Sequence, residues 1–155
     1  MEKFNKQMLD LMRNHDHAAP LPGELRDVLD AGIVESCQTF IFKSFYSDNV
    51  HSCLKFGRLR DLSGFEYTQN KIHLEDYCKK DNVVSVAFNF LDELTLVLQN
   101  AFVQKPVILV LSFQLDSEFG DLASVTFYCE REGQSVIDMK SIDGYSHPLF
   151  VRLID

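Results

Sequence analysis

The chain has 155 residues, of which 46% are hydrophobic and 25% charged, values typical of a single soluble globular domain over residues 1–155. Its net charge of −8 argues against binding to nucleic acid or to an anionic membrane, both of which require a basic face.

The negative charge is concentrated in the C-terminal half. Residues 1–80 hold 12 acids and 11 Lys or Arg, a net charge of −1. Residues 81–155 hold 11 acids and only 4 Lys or Arg, a net charge of −7. This asymmetry favours a basic protein partner for the C-terminal half.

The N-terminus and the apolar runs indicate where the protein acts. The first residues, MEKFNKQMLDLMRNHDH, contain no uninterrupted apolar segment of the kind found in a signal peptide. The longest wholly apolar run, 107–111, is far shorter than a membrane span. We expect a soluble protein in the cytoplasm.

The N-terminal third predicts two helices followed by a strand. Apolar residues at helical spacing predict an amphipathic helix over 2–13. After a stretch rich in proline, a second helix begins near residue 25, and Gly32 is a natural stop for it. β-formers then predict a strand at about 37–46.

The middle of the chain is mixed. Alternation in CLKFGRLRDL predicts a strand near 53–62, and DLSGFEYTQN is interpreted as a loop or a short edge strand. KIHLEDYCKK, residues 71–80, predicts a short helix. VVSVAF predicts a buried strand over 83–88, with Asn89 capping a longer helix over about 90–103.

The remaining residues predict a β-meander. The strands are expected at 106–115, which should be central, and then at 122–130, 135–143 and 149–155. The complete pattern predicts an α+β fold, with N-terminal helices and one longer helix packed on a largely antiparallel mixed sheet.

The cysteines are widely spaced and include no CxxC pair. Cys37, Cys53, Cys78 and Cys129 are therefore predicted to be free thiols that bind no zinc.

Three histidines invite comparison with metal sites. His15, Asp16 and His17 could contribute to such a site, but no third ligand is visible, and a solvated loop is the alternative. His73 and Glu75 do not have the HExxH spacing of zinc proteases, which favours an exposed polar helix face. We expect no metal and no cofactor.

A second candidate site lies near residue 51. On a strand His51 and Cys53 would share one face, so the histidine could act as a base for the thiol. Lys55, Arg58 and Arg60 form a local basic patch that could hold an anion. The alternative is a structural cysteine beside a solvated sheet face.

The stretch QLDSEFGDLA places Asp116, Glu118 and Asp121 around Phe119. Its spacing does not match a calcium-binding EF-hand loop, which needs glycine at position 6 and an acid at position 12. Two interpretations remain: an ordinary solvated turn, and an acidic recognition tip with Phe119 as its anchor.

The leading hypothesis is a binding protein without catalytic residues that inhibits a basic protein partner. An immunity protein that neutralises a toxin such as a nuclease has this general character, since opposite charges accelerate association. Glu130 and Glu132 join the four tip residues as predicted contacts. The alternatives are an enzyme or small-ligand-binding domain near His51, Cys53 and Arg58, and an adaptor subunit.

Overall fold

Both ends of the chain contribute strands to one β-sheet in the computed structural model, which describes residues 1–15, 19–50, 61–102 and 105–155. Its strands are β1 (Glu2–Phe4), β4 (Ile72–His73), β5 (Val107–Ser117), β6 (Gly120–Cys129) and β7 (Leu149–Ile154). They lie in the order β1-β7-β5-β6-β4, and each neighbouring pair is antiparallel. A separate hairpin pairs β2 (Ile33–Ser36) with β3 (Thr39–Phe42).

Four α-helices accompany these sheets in the described part of the chain. They are α1 (Lys6–Asn14), α2 (Gly23–Ala31), α3 (Leu62–Gln69) and α4 (Val83–Ala101). The predicted α+β class, with a longer helix on a largely antiparallel sheet, is confirmed. Among the described residues, no helix has both the length and the apolar character to cross a bilayer.

The central strand β5 is buried on both faces. Leu109, Leu111 and Phe113 point into the larger core, which includes the apolar residues of α4. Ile108 and Val110 point the other way, into a smaller core closed by the segment 136–145. The sequence prediction of a central strand here is confirmed, because only a strand covered on both sides is apolar at successive positions.

Helix α4 begins at Val83, so the predicted strand over 83–88 is wrong. A short apolar run does not distinguish a buried strand from a buried helix. Here the run continues the buried face of the helix predicted near 90–103. Asn89 lies inside the helix, where its side chain donates to the Ala19 carbonyl at 2.7 Å instead of capping an end.

Helix α3 replaces the predicted loop or edge strand over 61–70. Asp61 caps it by accepting a hydrogen bond from the Gly64 amide at 3.0 Å. Its buried face includes the polar residues Ser63 and Glu66, and Asn70 follows directly as its C-cap. The apolar periodicity that identifies a helix in a sequence is therefore absent.

Other boundaries also differ from the predictions. A strand is expected at 37–46, but this segment consists of a turn, the strand β3 and a short 3₁₀ helix. The turn forms at Cys37 and Gln38, which have φ of 51° and 65°. This is the two-residue geometry that matches the twist of a hairpin. The predicted helix over 71–80 is β4 and two 3₁₀ turns.

The last third of the chain contains one further error. The strands predicted at 106–115, 122–130 and 149–155 are confirmed as β5, β6 and β7. The segment 135–143 is not a strand; it forms turns that place Ile137 and Ile142 in the smaller core.

The first N-terminal helix is shorter than predicted, because residues 2–4 form a strand. The helix predicted over 2–13 is β1 followed by α1, and the second helix ends before Gly32, whose φ is 76°. The strand predicted near 53–62 lies almost wholly outside the described residues.

Candidate protein-binding surface

The β5–β6 hairpin extends beyond both of its neighbouring strands. The β5–β7 ladder ends at Ser112, and β4 pairs only with Ser124 and Val125 of β6. Residues 114–122 therefore form a two-stranded projection, about 13 Å long at about 3.4 Å per residue. We call this projection the hairpin tip.

The turn of the hairpin tip is fixed by local hydrogen bonds. Ser117 pairs with Gly120, whose φ of 93° gives the backbone a conformation that suits glycine. The Ser117 hydroxyl donates to the Gly120 carbonyl and accepts from the Phe119 amide. A bulge between Gln114 and Ser117 adds twist.

Asp121 has a structural role as well as a charge. Its Oδ1 atom accepts a hydrogen bond from the Asp116 amide at 3.0 Å. Asp116 itself has a φ of 53°, a conformation that aspartate adopts more readily than most residues. The carboxylate of Asp121 therefore holds the bulge beside the turn.

The hairpin tip presents an apolar ring among carboxylates. Phe119 is 65% exposed, which is the highest value among the large apolar residues that the structure describes; Met1 at 63% and Leu96 at 61% follow. Asp116 and Glu118 are exposed, and Asp121 is half-buried. An exposed aromatic residue surrounded by charge of one sign is typical of a binding surface.

A small cavity of about 190 Å³ lies where the hairpin tip leaves the sheet. Polar side chains from four parts of the chain line it: His73, Glu75, Ser112, Gln114, Ser124 and His147. The Ser112 and Ser124 hydroxyls are 2.9 Å apart, and His73 Nδ1 lies 3.4 Å from Glu75 Oε1.

Glu75 also supports the base of the hairpin tip. Its Oε2 atom accepts from the Ala123 amide at 3.1 Å, on the edge of β6 beyond β4. Sequence reasoning placed His73 and Glu75 on a helix face, which is wrong. Strand pairing decides their position, since His73 lies opposite Ser124 in the ladder.

The predicted contact residues do not form one group. Asp116, Glu118, Phe119 and Asp121 lie together at the hairpin tip. Glu130 and Glu132 follow the opposite end of β6, about 30 Å away at about 3.4 Å per residue over a ten-residue strand. They line a different cavity.

Several other predicted residues cannot be placed. His51, Cys53, Lys55, Arg58 and Arg60 lie outside the described residues. Asp16 and His17 of the histidine-containing loop also lie outside the described residues. The metal-site hypothesis and the hypothesis of a site near residue 51 therefore both stay predictions. Elsewhere in the described chain, no three His, Cys, Asp or Glu side chains form a group that could hold a metal ion.

The described cysteines are free thiols in three different environments. Cys37 is exposed on the β2–β3 turn, Cys78 is half-buried and Cys129 is buried. Burial raises the pKa of the Cys78 thiol.

Fold and surface together define an α+β protein with a projecting acidic hairpin. The chain belongs to the family described as the Uncharacterized protein PM0498 family, whose model matches residues 3–155. Its relative "Uncharacterized protein PM0498" from Pasteurella multocida (strain Pm70) is 27% identical over 146 residues, covering 92% of this chain and 90% of the relative. No solved structure matches the chain.

Proposed function

We propose that this protein binds a basic partner protein through the hairpin tip and thereby inhibits it. The observation that carries the proposal is the exposed Phe119 ring at the end of a projection that also carries Asp116, Glu118 and Asp121. The carboxylates would accelerate association, and the ring would fill a pocket of the partner and slow dissociation.

An immunity protein is the specific form of this proposal. In that form the partner is a toxin such as a nuclease, whose basic active site the acidic surface covers. A nuclease binds a polyanion, so its active site offers the positive charge that the hairpin tip requires. We place the action in the cytoplasm, where an exposed thiol such as Cys37 stays reduced.

Association through an edge strand is less well supported. The outer strands β1 and β4 have only three and two residues. On the edge of β6, the Ala123 and Cys129 amides already donate to the Glu75 and Glu66 carboxylates. An added strand would therefore find few free backbone groups.

The first experiment identifies the partner. The protein is co-expressed with the product of the neighbouring open reading frame in its source genome, and the purified complex is tested for inhibition of that product's activity. Inhibition that is stoichiometric supports the proposal, whereas full activity of that product in the presence of excess protein counts against it.

The second experiment tests the surface by stopped-flow association. A variant with Asp116→Lys and Glu118→Lys should associate more slowly, since rim charges contribute about 0.2–1 kcal/mol each. Asp121 is left intact in that variant because it supports the turn. A matched control reverses the charges of Asp10 and Asp27, two exposed acids on α1 and α2, by the same replacement with lysine.

The third measurement separates the ring from the charges. Phe119→Ala should raise the dissociation rate at a cost of about 1–3 kcal/mol. Leu96→Ala, at an equally exposed apolar position on α4, is the control and should leave the rate unchanged. If the association rate depends neither on the salt concentration nor on the charge reversal, the hairpin tip is an ordinary solvated turn.

A further inference from the structure

A larger cavity lies at the opposite end of the β5–β6 hairpin. Its volume is about 530 Å³, within the range of roughly 300–1,000 Å³ that small-molecule sites occupy. It is a half-open cavity between the first residues of β5, the last residues of β6 and the segment 130–140. We call it the distal cavity.

The floor of the distal cavity is apolar. Ile108 and Tyr128 are each 3% exposed, and both belong to the smaller core of the protein. Ile137 and Met139 from the covering segment add apolar surface, as does Pro106. Because Ile108, Tyr128 and Ile137 are already buried, the apolar surface open to a ligand is mainly that of Pro106 and Met139, and an apolar or aromatic body would gain from contact with it.

The wall of the distal cavity is held at several points. The Gln134 Oε1 atom accepts from the Ser63 amide at 3.2 Å, and Lys3 Nζ donates to the Met139 carbonyl at 3.0 Å. Arg131 anchors the start of the segment through its ion pair with Glu66. Binding would therefore require little ordering of the wall.

The charged residues around the distal cavity favour a cation. The lining includes three acids, Glu130, Glu132 and Asp138. It also includes Lys140, a basic residue whose charge no buried acid offsets. The Arg131 guanidinium also lines the cavity, but the buried Glu66 carboxylate neutralises it. The Lys3 ammonium also lies at this wall, where it donates to the Met139 carbonyl, so the remaining charge is that of three acids against two lysines.

From this combination we propose that the distal cavity binds a small organic cation with an apolar or aromatic body. The apolar floor receives the body, and the carboxylates of Glu130 and Glu132 attract the charged end. The site is separate from the hairpin tip, so it goes beyond the proposed inhibition and can fail or succeed independently of it.

The test is an NMR titration of the ¹⁵N-labelled full chain with benzamidine, an aromatic cation. Benzamide and benzoate serve as neutral and anionic probes of matched shape. Benzamidine should shift the amide signals of Ile108, Tyr128, Gly133 and Ile137 in a saturable manner. Benzamide should bind more weakly, and benzoate should leave these signals unchanged.

Two variants localise the effect. Glu130→Gln with Glu132→Gln should weaken benzamidine binding about three- to tenfold, since each exposed charge contributes a fraction of the roughly 1.4 kcal/mol that equals a tenfold change. Both residues are exposed, so the fold should persist, and near-ultraviolet circular dichroism checks this. Phe119→Ala, at the hairpin tip, should bind benzamidine as the unaltered protein does.

The proposal is overturned if millimolar benzamidine leaves the four signals unshifted. It is also overturned if benzoate shifts them as strongly, or if the folded Gln variant binds benzamidine with unchanged affinity. Loss of binding in Phe119→Ala would place the probe at the hairpin tip and would equally contradict the proposal.

Discussion

Glu66 and Arg131 form a bidentate ion pair that joins helix α3 to the end of strand β6. The Oε1–Nη2 distance is 2.7 Å and the Oε2–Nη1 distance is 2.8 Å, and Glu66 is fully buried. The carboxylate also accepts from the Phe40 amide at 2.8 Å and the Cys129 amide at 2.7 Å. Glu66 thus links β3, β6 and the start of the segment that covers the distal cavity.

Asn70 repeats this link one helical turn later. It accepts from the Phe42 amide at 3.1 Å and donates to the Phe40 carbonyl at 2.8 Å and the Phe127 carbonyl at 3.2 Å. The Glu66 and Asn70 side chains thus bridge the backbones of β3 and β6 by hydrogen bonds. They therefore join the small hairpin to the main sheet without a backbone ladder.

Removal of the Arg131 charge should be strongly destabilising. Arg131→Met leaves the buried Glu66 carboxylate without its cation, and losses of about 3–5 kcal/mol are typical of such broken pairs. Urea denaturation measures the free energy of unfolding. In the control, the double variant Arg131→Met with Glu66→Gln removes the uncompensated charge. It should recover part of the loss only, because glutamine has one acceptor oxygen for the Phe40 and Cys129 amides; no recovery would contradict the role assigned to the pair.

Two variants should distinguish the contribution of the Asp121 charge to stability from that of its hydrogen bond. Asp121→Asn keeps an oxygen acceptor for the Asp116 amide, so its free energy of unfolding should change little. Asp121→Ala loses that acceptor and should cost about 0.5–1.5 kcal/mol. Thermal unfolding of both variants, compared with Glu118→Gln as a nearby charge control, checks this; equal stability of the Asn and Ala forms would refute it.

Stability should fall as the pH rises from about 9 towards 12. Burial raises the pKa of Cys129 from 9.0 to about 12, and burial raises that of Tyr128 from 10.0 to about 12. The unfolded chain therefore releases these protons first, and the folded state loses stability with a slope of about 1.4 kcal/mol per pH unit for each group.

Urea denaturation at a series of alkaline pH values measures this slope. Cys129→Val and Tyr128→Phe should each lower the slope by the contribution of the replaced residue, because neither replacement titrates. A slope that both variants leave intact would mean that other groups cause the alkaline loss.

The thiols should differ sharply in reactivity. Exposed Cys37 should react with iodoacetamide in the native protein at pH 8, whereas buried Cys129, whose pKa is about 12, should react only after unfolding. Mass spectrometry of digested protein identifies the labelled positions. Without reductant, all four cysteines, including Cys53, should become labelled after unfolding; an unlabelled pair would show a disulfide and contradict the cytoplasmic location.

Composition and apolar pattern were sufficient for the fold class and for three of the four predicted C-terminal strands, β5, β6 and β7. In β5, apolar residues at successive positions predict a strand covered on both faces, and the structure has such a strand. The acidic tip is also visible in the sequence, since Asp116, Glu118, Phe119 and Asp121 are close neighbours along the chain. Patterns of this kind depend on local residues only, so they can be read without tertiary contacts.

Helix α3 could be found only in the tertiary structure. Its buried face presents Ser63 and Glu66, with Asn70 at its end, and their partners are strand backbones, Arg131 and Gln134, up to 71 residues away. The distal cavity has the same origin, because the segment 135–143 alternates like a strand but finds no strand partner. Pairing and long-range hydrogen bonds outweigh local propensity, and a single sequence does not record which distant residues will supply them.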